Sequence, residues 1–308
     1  MDVLFVVSGN RKIEAIAPFI QVQMDSLSDI GVNVSLFRVI GGGLRGYWKH
    51  LWKLRSEIKR TNVKIVHAHY SLCGYLAWIA TWGTHCKVVV SLMGNDMKYL
   101  CINRFFVKYL WHKTIVKSQE MAEQLHADGV AVLPNGVNMQ QMKLLDKSEA
   151  QKCCGFNIDR KYVIWCSQID REEKNYALAQ QAVEALHDDN VELVPLQDIV
   201  HSKMNVYMCA ADVLLLSSKH EGSPNVVKEA MACNLPVVST NVGDVAWLSD
   251  GVAGMYVAQT QTATDLSLCL RQALDFNGRT NGRKQLERLG LTSQIVAQKL
   301  QHIYEYEL

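Results

Sequence analysis

The sequence predicts an α/β protein made of two doubly wound, parallel-sheet domains. Three observations carry this. Short apolar runs rich in Val, Ile and Leu alternate with longer amphipathic runs, the pattern of strand–helix–strand units and a parallel sheet. The alternation occurs as two series, separated by a polar stretch at 146–159 that reads as an inter-domain linker. The length of 308 residues, 49% hydrophobic, is enough for two cores.

In the first series, strands are expected at 3–8, 32–40, 63–67, 87–92, 114–118 and 130–133. Helices are expected at 16–30, stopped by Gly31, and at 47–60, after the loop Gly41-Gly42-Gly43. Others follow at 72–81, 104–112 and 119–127, and the series ends at Pro134-Asn135-Gly136. The second series gives a strand at 162–167, a helix at 174–187, a strand at 191–194 and a helix at 201–210. Ala-Asp-Val-Leu-Leu-Leu-Ser (211–217) reads as a buried strand and Pro-Val-Val-Ser-Thr (236–240) as the next. The last helices are expected at 263–275 and 281–304. The domains are therefore placed at 1–157 and 158–308, with the last helix available to pack back on the first domain, and ligands are expected in the cleft between them.

Several classes are disfavoured. No run of 18 uncharged apolar residues exists, so no transmembrane helix is expected. The N-terminus, Met-Asp-Val-Leu-Phe-Val-Val-Ser, lacks a basic leader and reads as a first strand rather than a signal peptide. The nine cysteines lack Cys-x-x-Cys spacing and read as reduced residues of a cytoplasmic protein. No His/Cys cluster has metal-ligand spacing, so neither a metal nor another cofactor is expected. The net charge is +2, yet residues 1–157 hold 19 Lys and Arg against 11 Asp and Glu. Such asymmetry suggests that one half faces something anionic.

The most informative stretch is Glu221-Gly-Ser-Pro-Asn-Val-Val-Lys-Glu229-Ala-Met-Ala-Cys-Asn-Leu-Pro. Ser223 suits an N-cap and Pro224 the first helical position, so the unit is strand, polar loop, helix, strand. Free amides at such a helix start favour a phosphate or diphosphate. Glu221 lies in the loop before the helix and Glu229 more than a turn inside it. A ligand with an anionic middle and hydroxyls at both ends fits that layout, and a nucleotide-sugar is one. By composition alone a Glu meets an acid eight positions on about one time in ten, so the spacing is weak and the whole phrase is specific.

That phrase resembles the Glu-x7-Glu signature of family 4 glycosyltransferases, retaining enzymes with two Rossmann-like domains facing a cleft (the GT-B fold). Further segments resemble the family in the same order: Ile65-Val-His-Ala-His69-Tyr, Ser91-Leu-Met-Gly-Asn-Asp96, Pro134-Asn-Gly-Val-Asn, Lys174-Asn175 and Gly243-Asp244. The resemblance implies that Glu221 and Lys174 are catalytic. It implies donor contacts at Glu229, Gly222, Ser223, Pro224, Asn225, Val226, Gln168 and Gly9, and acceptor-side positions at His69 and Asp96. Read from the residues alone, Lys174 is either a solvated loop lysine or one at a strand-to-helix turn that reaches a phosphate, Asp96 either a turn carboxylate or a site residue, and His67 with His69 either strand-end packing or site residues. The chain departs from the family in three ways. Gln168 stands where relatives carry an Arg, with Arg171 as a nearby substitute; Met93 stands where they carry a His; and one strand–helix unit is missing from a reduced second domain.

The function implied is transfer of a sugar from a nucleotide-diphosphate sugar to a lipid-linked or saccharide acceptor hydroxyl, with retention and without a metal, in surface polysaccharide or glycolipid assembly. The alternative is a non-catalytic sugar-nucleotide-binding partner subunit on the same fold, supported by Gln168 and Met93. A sugar-nucleotide epimerase is disfavoured by the intact signature phrase. The stretch 45–64 holds seven Lys and Arg and one acid, with Trp48 and Trp52. It reads either as a helix with a solvated basic face or as a segment touching anionic lipid, which would make the protein peripheral on the inner face of the membrane. Nucleic acid is not expected, since no stacking or groove-reading motif accompanies the charge.

Overall fold

The computed structural model describes residues 1–10 and 16–308, so the Arg11-Lys12 part of the first loop lies outside the described residues. The chain divides into two units, Met1–Gly136 with Ser293–Leu308, and Val137–Thr292.

The first unit runs β1 (Asp2–Ser8), α1 (Pro18–Asp29), β2 (Asn33–Val39), α2 (Gly43–Trp48), α3 (Leu51–Thr61), β3 (Ile65–His69), α4 (Ser71–Thr81) and β4 (Lys87–Ser91). A 3-10 helix (Gly94–Tyr99), α5 (Leu100–Tyr109), β5 (Lys113–Val116), α6 (Gln119–Leu125) and β6 (Val130–Val132) follow. Among the described residues the strands form a six-stranded sheet in the order β2-β1-β3-β4-β5-β6, every pairing parallel. Alternate residues of β1 explain its two-sided burial. Leu4 and Val6 join Leu54, Leu76 and Val90 on one face, while Val3, Phe5 and Val7 join Ile20, Val296 and Leu300 on the other.

The second unit runs α7 (Lys147–Cys154), β7 (Lys161–Trp165), a 3-10 turn (Glu172–Lys174), α8 (Tyr176–Glu184), β8 (Val191–Pro195), α9 (His201–Ala210), β9 (Val213–Leu216) and α10 (Asn225–Ala232). Then come β10 (Val237–Thr240), α11 (Val245–Ser249), β11 (Met255–Ala258), α12 (Ala263–Asp275) and α13 (Gly282–Leu289), before α14 (Ser293–Tyr306) returns to the first unit. Among the described residues the second sheet is five-stranded, parallel, in the order β11-β10-β9-β7-β8. Each sheet reverses its winding direction once, at β1/β3 in the first and β7/β9 in the second. Such switch points open a crevice at the carboxyl ends of the strands, where ligands of open α/β sheets bind.

The structure corrects several boundaries. The division falls after Gly136 rather than near 157. The expected linker contains a helix instead: Asp146 caps α7 by accepting from the Glu149 N–H at 3.0 Å, and Gly155 ends it at φ +71°. The helix expected at 47–60 is broken into α2 and α3. Between them the His50 ring lies 3.0 Å from the Ile40 carbonyl, and Tyr47, Leu51 and Leu54 are all buried. The final helix is likewise split, at Gly290 with φ +67°. Gly74 is required by packing, because a Cβ there would lie 2.8 Å from Trp111 and 2.9 Å from Val90.

We expect Gly74→Ala to lower the melting temperature through overpacking, a cost of about 1–3 kcal/mol. A melting temperature unchanged from wild type would show that α4 has slack against β4.

Candidate active site

The carboxyl ends of β7 and β9 carry most of the residues singled out in the second unit. The turn after β7 is fixed to the end of β9 by Ser217, whose hydroxyl accepts from the Trp165 indole at 3.0 Å. The same hydroxyl lies 2.9 and 3.0 Å from the carbonyls of Lys174 and Asn175. Asn175 takes the left-handed region at φ +53° to make that turn. The Lys219 N–H adds a bond to the Glu173 carbonyl at 2.9 Å. The result brings Lys174 onto Glu221: the ammonium donates to Glu221 Oε1, and the Ser218 hydroxyl donates to the same oxygen at 2.8 Å. The two side chains are 17% and 15% exposed, so they are sheltered yet reachable.

Glu229 sits on α10 with its Oε1 2.9 Å from His201 Nε2. His201 opens α9, which begins at the same carboxyl edge of the sheet. Between the two glutamates lies the start of α10. Pro224 occupies the N-cap position and the helix begins at Asn225, so the expected cap at Ser223 is displaced by one residue. The reason is that the Ser223 hydroxyl is engaged elsewhere, accepting from the fully buried Lys228 ammonium at 2.9 Å. Burial lowers the Lys228 pKa to about 8, while the charges of Asp244 and Glu229 oppose the shift. Asp244 is itself buried, and burial raises its pKa against the pull of Lys228. In the first turn the N–H groups of Val226 and Val227 have no acceptor within the helix.

The loop 221–224 is shaped by a backbone contact. Gly243 has φ +56°, and a Cβ there would lie 2.4 Å from the Gly222 carbonyl oxygen and 3.0 Å from that of Glu221. Only glycine satisfies both demands at once.

The expected arginine position is neutral in fact as well as in sequence. The Gln168 amide donates to Asp198 at 2.8 Å, tying the β7 loop to the β8 loop. Arg171 is taken up by Glu173 at 2.6 Å, so the nearby substitute already has a carboxylate partner.

Gly9, His69 and Asp96 form a separate set in the first unit. Gly9 follows β1, where an added Cβ would press on the Arg38 and Ile40 side chains at 3.2 and 3.3 Å. His69 and Asp96 are both buried. Asp96 Oδ1 accepts from the Ser71 N–H at 2.8 Å and the Ser71 hydroxyl at 2.6 Å, and Oδ2 from the Met93 N–H at 2.6 Å. It thereby caps α4 and the 3-10 helix. His69 stacks on His67 with ring centroids 4.5 Å apart and lies 4.8 Å from the Phe5 ring. His67 bonds to the Tyr304 hydroxyl at 2.5 Å and the Ser91 hydroxyl at 2.9 Å. Burial and the nearby Lys117 charge push the His69 pKa down to about 3, and burial lowers that of His67 well below its ordinary value. Tyr70, next in the chain, holds φ +77°, an uncommon backbone state for a bulky residue.

Sequence reasoning missed His201, Ser217, Ser218 and Lys228. His201 and the two serines share one signal: each stands at or just beyond a strand's carboxyl edge, where a doubly wound sheet collects its site. Lys228 carried none, because a lysine on a surface helix ordinarily faces water.

Fold and site together define a protein of the GT-B class. A family model described as Glycosyltransferase Family 4 matches residues 5–141, and one described as Glycosyl transferases group 1 matches residues 170–275. The chain belongs to the family 4, group 1 glycosyltransferases. It is 26% identical to a putative teichuronic acid biosynthesis glycosyltransferase of Bacillus subtilis over 71% of this chain and 65% of that protein. The chain thus spans less than two thirds of that relative's length. Among solved structures it is similar to sucrose-phosphate synthase from Thermosynechococcus elongatus, with TM-score 0.79 and 16% identity over 99% of this chain and 98% of that one. It is also similar to Anabaena HepE in complex with UDP-glucose, with TM-score 0.75 and 14% identity over 99% of each chain.

Two expectations follow from this geometry. The unfolded chain protonates histidine near pH 6.5 while the folded chain keeps His69 neutral to about pH 3. The unfolded state then binds the extra proton between those values, so stability falls as pH drops below 6.5, by up to about 1.4 kcal/mol per pH unit for this residue. His69→Phe should flatten the stability profile between pH 6 and 4 by about that slope; denaturant titrations showing parallel profiles would assign the acid sensitivity elsewhere. Separately, Gly243→Ala should cost about 1–3 kcal/mol and displace the 221–224 loop. Gly251→Ala, at φ +72° in open space, should cost only its backbone strain. Equal melting temperatures for the two variants would remove the Gly222 contact as a constraint.

Proposed function

We propose that this protein transfers a sugar from a nucleotide-diphosphate sugar to an acceptor hydroxyl, with retention at the anomeric carbon. The observation that carries the reading is the arrangement of two glutamates, each engaged by a basic partner, on either side of the start of α10. Glu229, oriented by His201, would accept from the ribose hydroxyls. The amides near 222–226 and the Lys174 ammonium, which has donors beyond the one given to Glu221, would neutralise the diphosphate. Glu221 would take sugar hydroxyls and support positive charge at the ring. In the reaction the bond from the anomeric carbon to the diphosphate oxygen breaks, and the acceptor oxygen bonds on the same face. The departing phosphate takes the acceptor proton, so no separate base and no metal are required. Electrostatic support of the charge that develops on the leaving group supplies most of the rate acceleration in chemistry of this kind. Family membership and the UDP-glucose held by HepE support a nucleotide-sugar donor. The teichuronic acid relative supports a role in surface polysaccharide assembly with a lipid-linked or saccharide acceptor.

A second reading has a specific observation behind it. Gln168 and Arg171 both end on side chains of the protein, which leaves the diphosphate one cation short and favours a non-catalytic sugar-nucleotide-binding subunit. Hydrolysis of a panel of nucleotide-diphosphate sugars by the pure protein separates the two: turnover supports the transferase, and binding without turnover supports the subunit.

Glu229→Ala should weaken nucleotide-sugar affinity by about 10- to 100-fold, the loss of a charged acceptor. Calorimetric affinity within about twofold of wild type would remove Glu229 from the site. Glu221→Ala should lower kcat more than donor affinity, since its contact strengthens as charge develops; equal losses would mean ground-state binding alone. Turnover should persist in EDTA, and rescue of a chelated enzyme by magnesium would overturn the metal-independent mechanism.

A further inference from the structure

Lys228 is a completely buried charge to which the reaction above gives no task. It is the fourth residue of α10, one position before Glu229. Helical side chains lean toward the N-terminus, and this one carries its ammonium back to the helix start, where it donates to the Ser223 hydroxyl at 2.9 Å. Burying a charge is costly, and a buried ion pair is often no more stable than apolar side chains of the same volume. Stability alone therefore gives no reason for a lysine here.

The charge balance at the carboxyl edge of the second sheet does give one. Glu221, Glu229 and Asp244 are three carboxylates around the start of α10, and the charges of Asp244 and Glu229 both act on Lys228. Lys174 is paired with Glu221, and His201 of α9 meets Glu229. Gln168 stands where an arginine was expected and donates to Asp198, while Arg171 belongs to Glu173. Without Lys228, an arriving diphosphate would face three carboxylates and one ammonium group in a sheltered place, where like charges repel far more than in water. With it there are two ammonium groups, and the second lies directly behind the loop that opens α10. No side-chain cap occupies that helix start. The other elements packed on α10 add little. β9 and β10 end in serines and a threonine, and Arg283 of α13 is held at the far end of the helix by the Ala232 carbonyl.

We propose that Lys228 is a positioning residue for the donor diphosphate: from beneath the 221–224 loop it fixes the Ser223 hydroxyl and supplies the positive charge that Gln168 lacks. This role rests on the reading of that edge as a nucleotide-diphosphate site, and it removes the shortage of one cation that favours a non-catalytic subunit. The ammonium acts without touching the ligand, because a charge is weakened less across a buried loop than across water. Two consequences separate this role from plain packing. Lys228 favours the diphosphate over the nucleoside that lacks it. The arriving anion also favours the charged form of a lysine whose pKa burial has lowered to about 8, so binding above that pH draws a proton from solvent.

The test is calorimetry on the full chain. Uridine, guanosine and adenosine diphosphates are titrated in, and the one that binds wild type is carried forward with its nucleoside. Lys228→Met removes the charge at nearly the same length, and Lys228→Gln also keeps a donor for Ser223. Each should lower diphosphate affinity about tenfold and change nucleoside affinity by less than about twofold, which also shows the variant to be folded. A measurement on the wild-type chain stands beside these. At about pH 8.5, where the diphosphate is fully ionised, its binding enthalpy should differ between two buffers of different ionisation enthalpy in the sense of proton uptake. That difference should vanish in Lys228→Gln. Equal enthalpies in wild type, equal losses for diphosphate and nucleoside, or a diphosphate affinity unchanged in both variants would overturn the role of Lys228 alone. Failure of every diphosphate to bind wild type would overturn the donor site itself, and this role with it.

Discussion

The second unit's site rests on a steric constraint at Gly243. With φ +56° and the Gly222 carbonyl where its Cβ would be, Gly243 lets two backbone loops touch directly. That contact sets where the 221–224 loop turns, and hence that α10 starts at Asn225 with Pro224 before it. Ser217 does the complementary work on the other strand, tying the Lys174–Asn175 turn to the end of β9. Between these two fixtures the Lys174–Glu221 pair has little freedom left. Arg283 steadies the far end of the same helix, donating to the carbonyls of Ala232, Met142 and Met139. The chemistry proposed for this edge of the sheet therefore depends on backbone geometry more than on any single charged pair.

Charge in that region is balanced locally. Glu221 has Lys174 and Ser218, Glu229 has His201, and Lys228 has Ser223 with Asp244 nearby. Taking charged groups out of water is costly unless each is paired, and these pairings hold the carboxylates in fixed orientations. Lys228 shows how far this goes: it is completely buried under the loop it braces. The first unit uses the opposite device. His67 and His69 are kept neutral by burial and stack on each other beside Phe5, and the oxygens of Asp96 cap helices.

Much of the fold was legible because it follows from periodicity. The parallel strands are short apolar runs, and α12 spans the residues that its pattern predicts. The signature phrase located the glutamates because loop and helix are adjacent in sequence. Other features were hidden for physical reasons. The segment 146–159 looked like a linker through its polarity, although Asp146, Glu149 and Gly155 are helix-cap signals that outweigh composition. The strand Met255–Ala258 is not among the expected strands, although β9 and β10, which are, have the same length. His201 reaches Glu229 across 28 positions of chain, a pairing that only the sheet order creates. The burial of Lys228 inverts the usual rule, and an inversion leaves no mark on hydrophobic spacing.

The most direct measurement of the proposed donor site is a crystal structure of the chain soaked with a panel of nucleoside diphosphates and nucleotide-diphosphate sugars. A diphosphate is expected at the start of α10 within reach of Lys174, with ribose hydroxyls on the Glu229 carboxylate. A nucleotide bound elsewhere, or a diphosphate remote from both Lys174 and α10 while Glu229 keeps only His201, would contradict it.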